Sequence, residues 1–211
     1  MKWLLVSFFS CSAFANTAIN SLSFEDDAFK DCIKTTASDN QWRYVEEFIA
    51  IKCHGMGIDN AQELNQFINL QSLSLFNNNL QSLDLRKLSQ LTLLNLANND
   101  LHLLQINSLN KLEKLYLFKN QLVTLDMSGL SSLHTVRMMQ NQLKTLDISA
   151  LKNLKTGYFF DNKLVDLQIN GLDKLEFLDV RQNPMPDALY DFYDEQEGVV
   201  ISHDGNADDW K

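Results

Sequence analysis

The sequence predicts an α/β-type repeat solenoid: a right-handed superhelix with a parallel β-sheet on its concave face, an irregular or 3-10 convex side, and a cap at each end. Three observations predict it. Leucines return at fixed offsets every 21 residues, without an insertion, from Leu70 to Met185. So short a period makes each turn one unit that buries its apolar face only against its neighbours. An asparagine returns with the leucines, as Asn78, Asn99, Asn120, Asn141, Asn162 and Asn183. The flanking segments depart from the pattern, as the ends of a solenoid must if they are to cover it. With 211 residues, 45% of them hydrophobic, the chain has room for one short array and a continuous core, and two prolines and seven glycines exclude collagen-like or low-complexity sequence.

Residues 1–15 read as a secretory signal. Lys2 supplies a positive start, Trp3 to Phe9 a short apolar run, and Ala13-Phe14-Ala15 a small-x-small cleavage site, so that the mature chain begins at Asn16. The run is too short to span a bilayer. A second reading makes Cys11 a lipidated N-terminus, although Phe8 stands where that motif wants leucine.

Residues 16–69 read as the N-terminal cap. Glu25-Asp26-Asp27 places acids at a helix start, where the dipole favours them, and Phe24, Ala28, Phe29, Cys32 and Ile33 recur at helical spacing. Phe48-x-x-Ile51-x-Cys53-x-x-Met56-x-Ile58 then repeats the strand motif one turn before Leu70, offset by 22 residues. Cleavage after Ala15 leaves Cys32 and Cys53. An even count in an exported chain favours a disulfide, which would staple the cap helix to the first strand; two buried free thiols are the alternative.

Residues 70–185 hold five full repeats and part of a sixth. The first reads Leu70-x-x-Leu73-x-Leu75-x-x-Asn78-x-Leu80-x-x-Leu83-x-Leu85-x-x-Leu88. Leu73 and Leu75 face inward from a short strand, and Ser72, Ser74 and Phe76 face outward. The Asn column sits where the chain turns inward, so each amide must be satisfied by backbone groups of adjacent turns, forming a ladder. So few residues per turn leave no room for regular helices on the convex side, which is expected to be extended or 3-10. Gly157 breaks a core leucine column; Phe159, two residues on, either fills the missing volume or leaves a packing defect.

Leu-x-x-Leu-x-Leu-x-x-Asn-x-Leu is the motif of the leucine-rich repeats. The short period and the Leu125-Asp126-Met127-Ser128 and Leu146-Asp147-Ile148-Ser149 halves resemble secreted bacterial repeat proteins of the internalin-like kind. The resemblance covers Leu70 to Met185 firmly and the flanks loosely. Internalins typically use 22 residues per turn and often carry cell-wall anchoring modules. The period here is 21 and no such module is read in these residues, so host-cell invasion is not implied.

Residues 186–211 read as the C-terminal cap and an acidic tail, with a short helix over 186–196 and a last strand at Val199-Val200-Ile201. This segment carries a net −7, the N-terminal cap −5 and the repeats +2, within a chain of net −9. Acidic caps serve solubility. A chain this acidic repels phosphate backbones, which argues against a nucleic-acid partner.

Nothing in the sequence points to catalysis or to a cofactor. His54, His102, His134 and His203 fall at unrelated repeat positions; no triad, zinc motif or Gly-rich phosphate loop is present. Asp204-x-Asn206-x-Asp208 resembles half of a calcium loop but lacks its glycine and its closing glutamate. No Asp/Glu pair is placed on one dry cleft.

The outward strand positions carry the functional reading. Phe76, Lys114, Tyr116, Phe118, Arg137, Met139, Tyr158, Phe160, Phe177 and Arg181 all project from the concave sheet. Tyr, Phe, Met and Arg are enriched at interface cores, although aromatic residues also suit strands as such. The expectation is an exported, secreted or periplasmic module of a Gram-negative-type bacterium that binds a protein partner through this face and is not an enzyme. The alternative is a carbohydrate- or envelope-binding adhesin using the same aromatic side chains.

Overall fold

The computed structural model describes residues 16–205. The expected signal peptide with Cys11, and Asn206, Asp208, Asp209 and Lys211 of the tail, lie outside the described residues.

Among the described residues are ten strands and two α-helices, one helix before the first strand and one between the ninth and tenth. The strands are β1 (Ala50–Lys52), β2 (Ser72–Ser74), β3 (Ser82–Asp84), β4 (Leu93–Asn95), β5 (Leu103–Gln105), β6 (Lys114–Tyr116), β7 (Thr135–Arg137), β8 (Thr156–Tyr158), β9 (Phe177–Asp179) and β10 (Val200–Ser202). The helices are α1 (Asp27–Asn40) and α2 (Asp187–Asp194). The concave sheet is wholly parallel, in the order β1-β2-β4-β6-β7-β8-β9-β10. From β2 to β9 each residue pairs with the one 21 positions on, as in Leu94 with Leu115 and Leu115 with Val136. The register lengthens only at the ends, where Ile51 pairs with Leu73 and Ile201 with Leu178.

Each turn contributes a layer of the core. Leu70, Leu73, Leu75, Leu80, Leu85 and Leu88 are fully buried, and so are most of their equivalents through Leu154. The convex side is extended or turn-like, with a 3-10 helix at Gln62–Gln66 in the cap turn, and it carries one unexpected feature. β3 and β5 pair in parallel as a second, two-stranded sheet, Leu83 opposite Leu104. Inward-outward alternation alone does not produce this pairing, since Thr124-Leu125-Asp126 and Thr145-Leu146-Asp147 show the same alternation one turn apart without forming strands.

The Asn column is buried, each side chain being 6–8% exposed. Asn120 is typical. Its Nδ2 donates to the carbonyls of Leu96 and Leu117, each at 3.0 Å, and its Oδ1 accepts from the Leu101 amide at 3.0 Å. Each amide therefore ties its own turn to the preceding one, and the six form a continuous ladder. The residue before each Asn is left-handed: Asn77, Asn98, Lys119, Gln140, Asp161 and Gln182 all have φ between 55° and 60°. Gly55 takes the same conformation in the cap, opposite Asn77.

The N-terminal cap is built on Asp26, whose carboxylate accepts the Phe29 amide at 2.8 Å as the N-cap of α1 and the Asp59 amide at 2.8 Å from the first turn. Burial raises its pKa, but the backbone donors outweigh that and hold it below the ordinary aspartate value. Trp42, Phe48 and Phe67 form an aromatic cluster in the cap, Trp42 tilted against Phe48 at 4.8 Å and Phe48 edge-on to Phe67 at 4.9 Å between centroids. Cys32 of α1 and Cys53, just after β1, form a disulfide with Cα atoms 5.9 Å apart. At the other end α2 packs Leu189, Tyr190 and Tyr193 onto the last turn, and the Tyr193 hydroxyl donates to the Leu167 carbonyl at 2.8 Å.

Candidate functional site

Strand pleating fixes which side chains face solvent. In β1, β2, β4, β6, β7, β8 and β9 the central residue is buried and the first and third point out of the concave sheet. The residue two beyond the last completes a third outward row. Register alignment makes each row a line of neighbours perpendicular to the strands, about 4.8 Å apart.

The second row holds Tyr116, Arg137 and Tyr158 on adjacent strands. The Arg137 guanidinium lies 5.6 Å from the Tyr116 ring centroid and 5.1 Å from that of Tyr158, between the two. Tyr158 also meets Phe177 of the first row at 5.2 Å. Both tyrosines and Phe177 are half-buried, whereas Arg137 and Lys114 are exposed. The third row is apolar over most of its length. Phe76 and Phe118 lie two strands apart with ring centroids 6.4 Å from each other, above Ala97 on the strand between. Ala97 faces outward yet is fully buried. Met139 and Phe160 follow, both half-buried, and the Arg181 guanidinium lies 5.9 Å from the Phe160 ring.

Arg181 is not free. Its Nη2 and Nε contact the two oxygens of Asp179 at 2.6 and 2.9 Å. That bidentate pairing raises the Arg181 pKa. Asp179, an outward residue of the second row, is only 2% exposed beneath it. At the other end, His54 approaches Phe76 edge-on at 5.8 Å and shares a 2.6 Å hydrogen bond with the Ser74 hydroxyl. Burial, and secondarily the Lys52 charge, lower the His54 pKa.

Sequence reasoning placed Phe76 through Arg181 on this face but missed His54 and Lys52, which extend the rows onto β1. The signal was present in the strand motif offset by 22 residues, which aligns Cys53 with Leu75 and so sets Lys52 and His54 in the outward rows, but the rows were read only from Ser72 onward. The burial of Ala97 and Asp179 was also missed, because it depends on the side chains of neighbouring strands. Among the described residues no group of three or more His, Cys, Asp or Glu is arranged to hold a metal ion, and no helix is long and apolar enough to cross a membrane.

Parallel strands at a 21-residue period, a buried Asn ladder and a concave sheet define a leucine-rich-repeat solenoid. An internalin (inlF) from Listeria monocytogenes str. 4b F2365 is similar over 92% of this chain and 67% of its own, at 17% identity and a TM-score of 0.59. Internalin C2 (inlC2) from the same organism is similar over 89% of this chain and 97% of its own, at 21% identity and a TM-score of 0.57. The TLR13 chain of a TLR13–ssRNA13 complex matches 66% of this chain at 25% identity and a TM-score of 0.55, but only 22% of its own length. The two internalin likenesses are of fold alone. Neither a protein-family model nor a curated protein matches the chain.

Proposed function

We propose that this protein is an exported, non-catalytic binding module that recognises a protein partner through its concave sheet. The observation that carries the reading is the cluster of Tyr116, Arg137 and Tyr158, held at cation–π distance on three adjacent strands and open to solvent at its centre. A few aromatic and arginine side chains near the middle of a patch usually dominate interface energy. Phe118, Met139, Phe160 and Phe177 widen the patch, and Lys114 stands at its rim. The Cys32–Cys53 disulfide supports export, since such bonds persist in oxidising compartments. The internalin likeness supports a binding role by analogy of architecture.

The test begins with capture of a partner from envelope and culture-supernatant fractions and measurement of its affinity. Alanine at Tyr116 or Tyr158 is expected to weaken binding by more than about 1 kcal/mol while leaving the melting temperature nearly unchanged. Alanine at Lys144, in the convex half of its turn, is expected to alter neither. Binding that ignores both tyrosines and responds to the convex face would place the site elsewhere. A glycan ligand is the second reading, because half-buried tyrosine rings also offer stacking faces. Glycan binding that survives alanine at Arg137 and Arg181 but not at Tyr116 and Tyr158 would select it.

A further inference from the structure

Resting on the concave face as the binding face, the charge along the outward rows narrows the chemistry of the partner. The charged side chains of those rows are Lys52, Lys114, Arg137 and Arg181 on one side and Asp179 and Asp204 on the other. Both acids lie at the C-terminal end of the sheet. Asp179 is clamped by Arg181, and Asp204 accepts the Gln182 amide. Lys52, Lys114 and Arg137 form no ion pair among the described residues. Of the bordering carboxylates at the strand-entry side, Glu176 pairs with Lys155 at 3.2 Å, and Glu113 lies 3.8 Å from the His134 imidazole, a contact that is ionic only when the imidazole is protonated. Asp161 and Lys119 stand in the turns beyond the third row and oppose each other in sign. A chain of net −9 thus turns a cationic strip outward on the sheet face that carries Tyr116, Phe118, Tyr158 and Phe160.

We infer that the partner presents an acidic polypeptide segment to this strip, with Arg137 as the anchor for one of its carboxylates. Two phenol rings flank the guanidinium, so its orientation is restricted before binding while its N–H donors stay unpaired. A guanidinium held in this way matches a carboxylate with two parallel hydrogen bonds and loses little freedom in forming them. Anionic glycans share the charge but not the rest of the surface. The adjoining row runs Phe76, Ala97, Phe118, Met139 and Phe160 with no polar side chain. Across five strands it spans roughly 19 Å. A sulfated sugar can stack its C–H faces on single rings but brings no aliphatic or aromatic side chains to cover a continuous apolar row, whereas a segment that interleaves Asp or Glu with aliphatic or aromatic residues covers both.

The probe is a short fluorescent peptide alternating Glu and Leu, set against a Gln-Leu peptide of equal length and against dextran sulfate, with the folded, oxidised protein. The Glu-Leu peptide is expected to bind at least tenfold more tightly than the Gln-Leu peptide. Arg137→Gln is expected to remove at least about tenfold of that affinity, near 1.4 kcal/mol, and Lys144→Gln to remove none. Raising NaCl from about 50 to about 500 mM is expected to weaken binding several-fold as the charges are screened. Equal binding of the two peptides, or no change in Arg137→Gln, overturns the inference. Binding of dextran sulfate without the Glu-Leu peptide overturns it in favour of an anionic glycan. A captured partner that crosslinks to a photoreactive residue at Asn95, yet binds independently of Arg137 and of salt, sinks this inference and leaves the concave interface standing. Crosslinking only from convex positions sinks both.

Discussion

Gly157 and Phe159 show how one residue's side chain can occupy another's place in a periodic core. At Gly157 the repeat calls for the leucine of Leu73, Leu94 and Leu115. A Cβ built there would stand 2.6 Å from Cε2 of Phe159 and 3.1 Å from Cδ1 of Leu178. The phenyl ring, itself fully buried, therefore occupies the space that the glycine vacates. The sequence held both residues but left the two readings open, because the direction a ring takes inside a layer is not a periodic property. Restoring leucine at position 157 alone is expected to overpack the layer and cost about 1–3 kcal/mol. Phe159→Leu alone is expected to open a cavity and cost a similar amount, about 1–3 kcal/mol. The double variant returns the repeat to its common pattern, so its cost should fall short of the sum by more than about 1 kcal/mol. Urea denaturation midpoints of the four proteins decide it; strictly additive losses would mean that the ring and the absent side chain do not share one space.

Each repeat is held to the next by backbone pairing and by its buried Asn. That element was legible in the sequence, since a polar residue fixed in a leucine lattice must find partners there. The left-handed residue before it was not. Its column runs Asn, Asn, Lys, Gln, Asp, Gln, and only asparagine and aspartate favour that conformation among these types. The bonds on either side impose it: the Lys119 amide donates to the Met139 carbonyl at 3.0 Å, and the Asn120 side chain anchors the Leu96 and Leu117 carbonyls. The convex pairing of β3 with β5 was likewise hidden, because two neighbouring extended segments pair only when the turns bring them into line. Asn120→Leu removes a donor from two buried carbonyls and an acceptor from the Leu101 amide. It is expected to destabilise by about 1–3 kcal/mol. Asn95, whose side chain faces outward and accepts only the Ala97 amide at 3.1 Å, serves as the comparison. Asn95→Leu should shift the midpoint by a few tenths of a kcal/mol at most, as surface changes do. Equal midpoints for the two variants would contradict the ladder's part in holding turns together.

At the scale of the whole molecule, stability is distributed along an axis. Each turn touches only its neighbours, so the array behaves as a chain of coupled units whose ends are its weak points. The two ends are secured by different means. Behind β10 the C-terminal turn relies on packing, with Tyr190 and Tyr193 buried against the last repeat and Tyr190 stacked on His203 at 5.0 Å. The N-terminal turn has a covalent staple besides its packed aromatic cluster. Cys32 and Cys53 enclose a loop of sequence separation 21, which is worth roughly 3 kcal/mol in the chain-entropy account. The pairing could be read from an even cysteine count and a strand motif, because both are local; the acids that line the caps could be counted, but which of them, like Asp26, bridge two elements could not. Reduction is therefore expected to act unevenly. The melting temperature should fall, and amide exchange should accelerate first in α1 and β1 and then in β2, while β7 and β8 keep most of their protection. Hydrogen exchange of the oxidised and reduced protein, read segment by segment, measures this directly. Uniform loss of protection from β1 to β9 would show that the solenoid unfolds as one cooperative block and that the staple serves the whole array; no change in α1 would show that packing alone secures the cap.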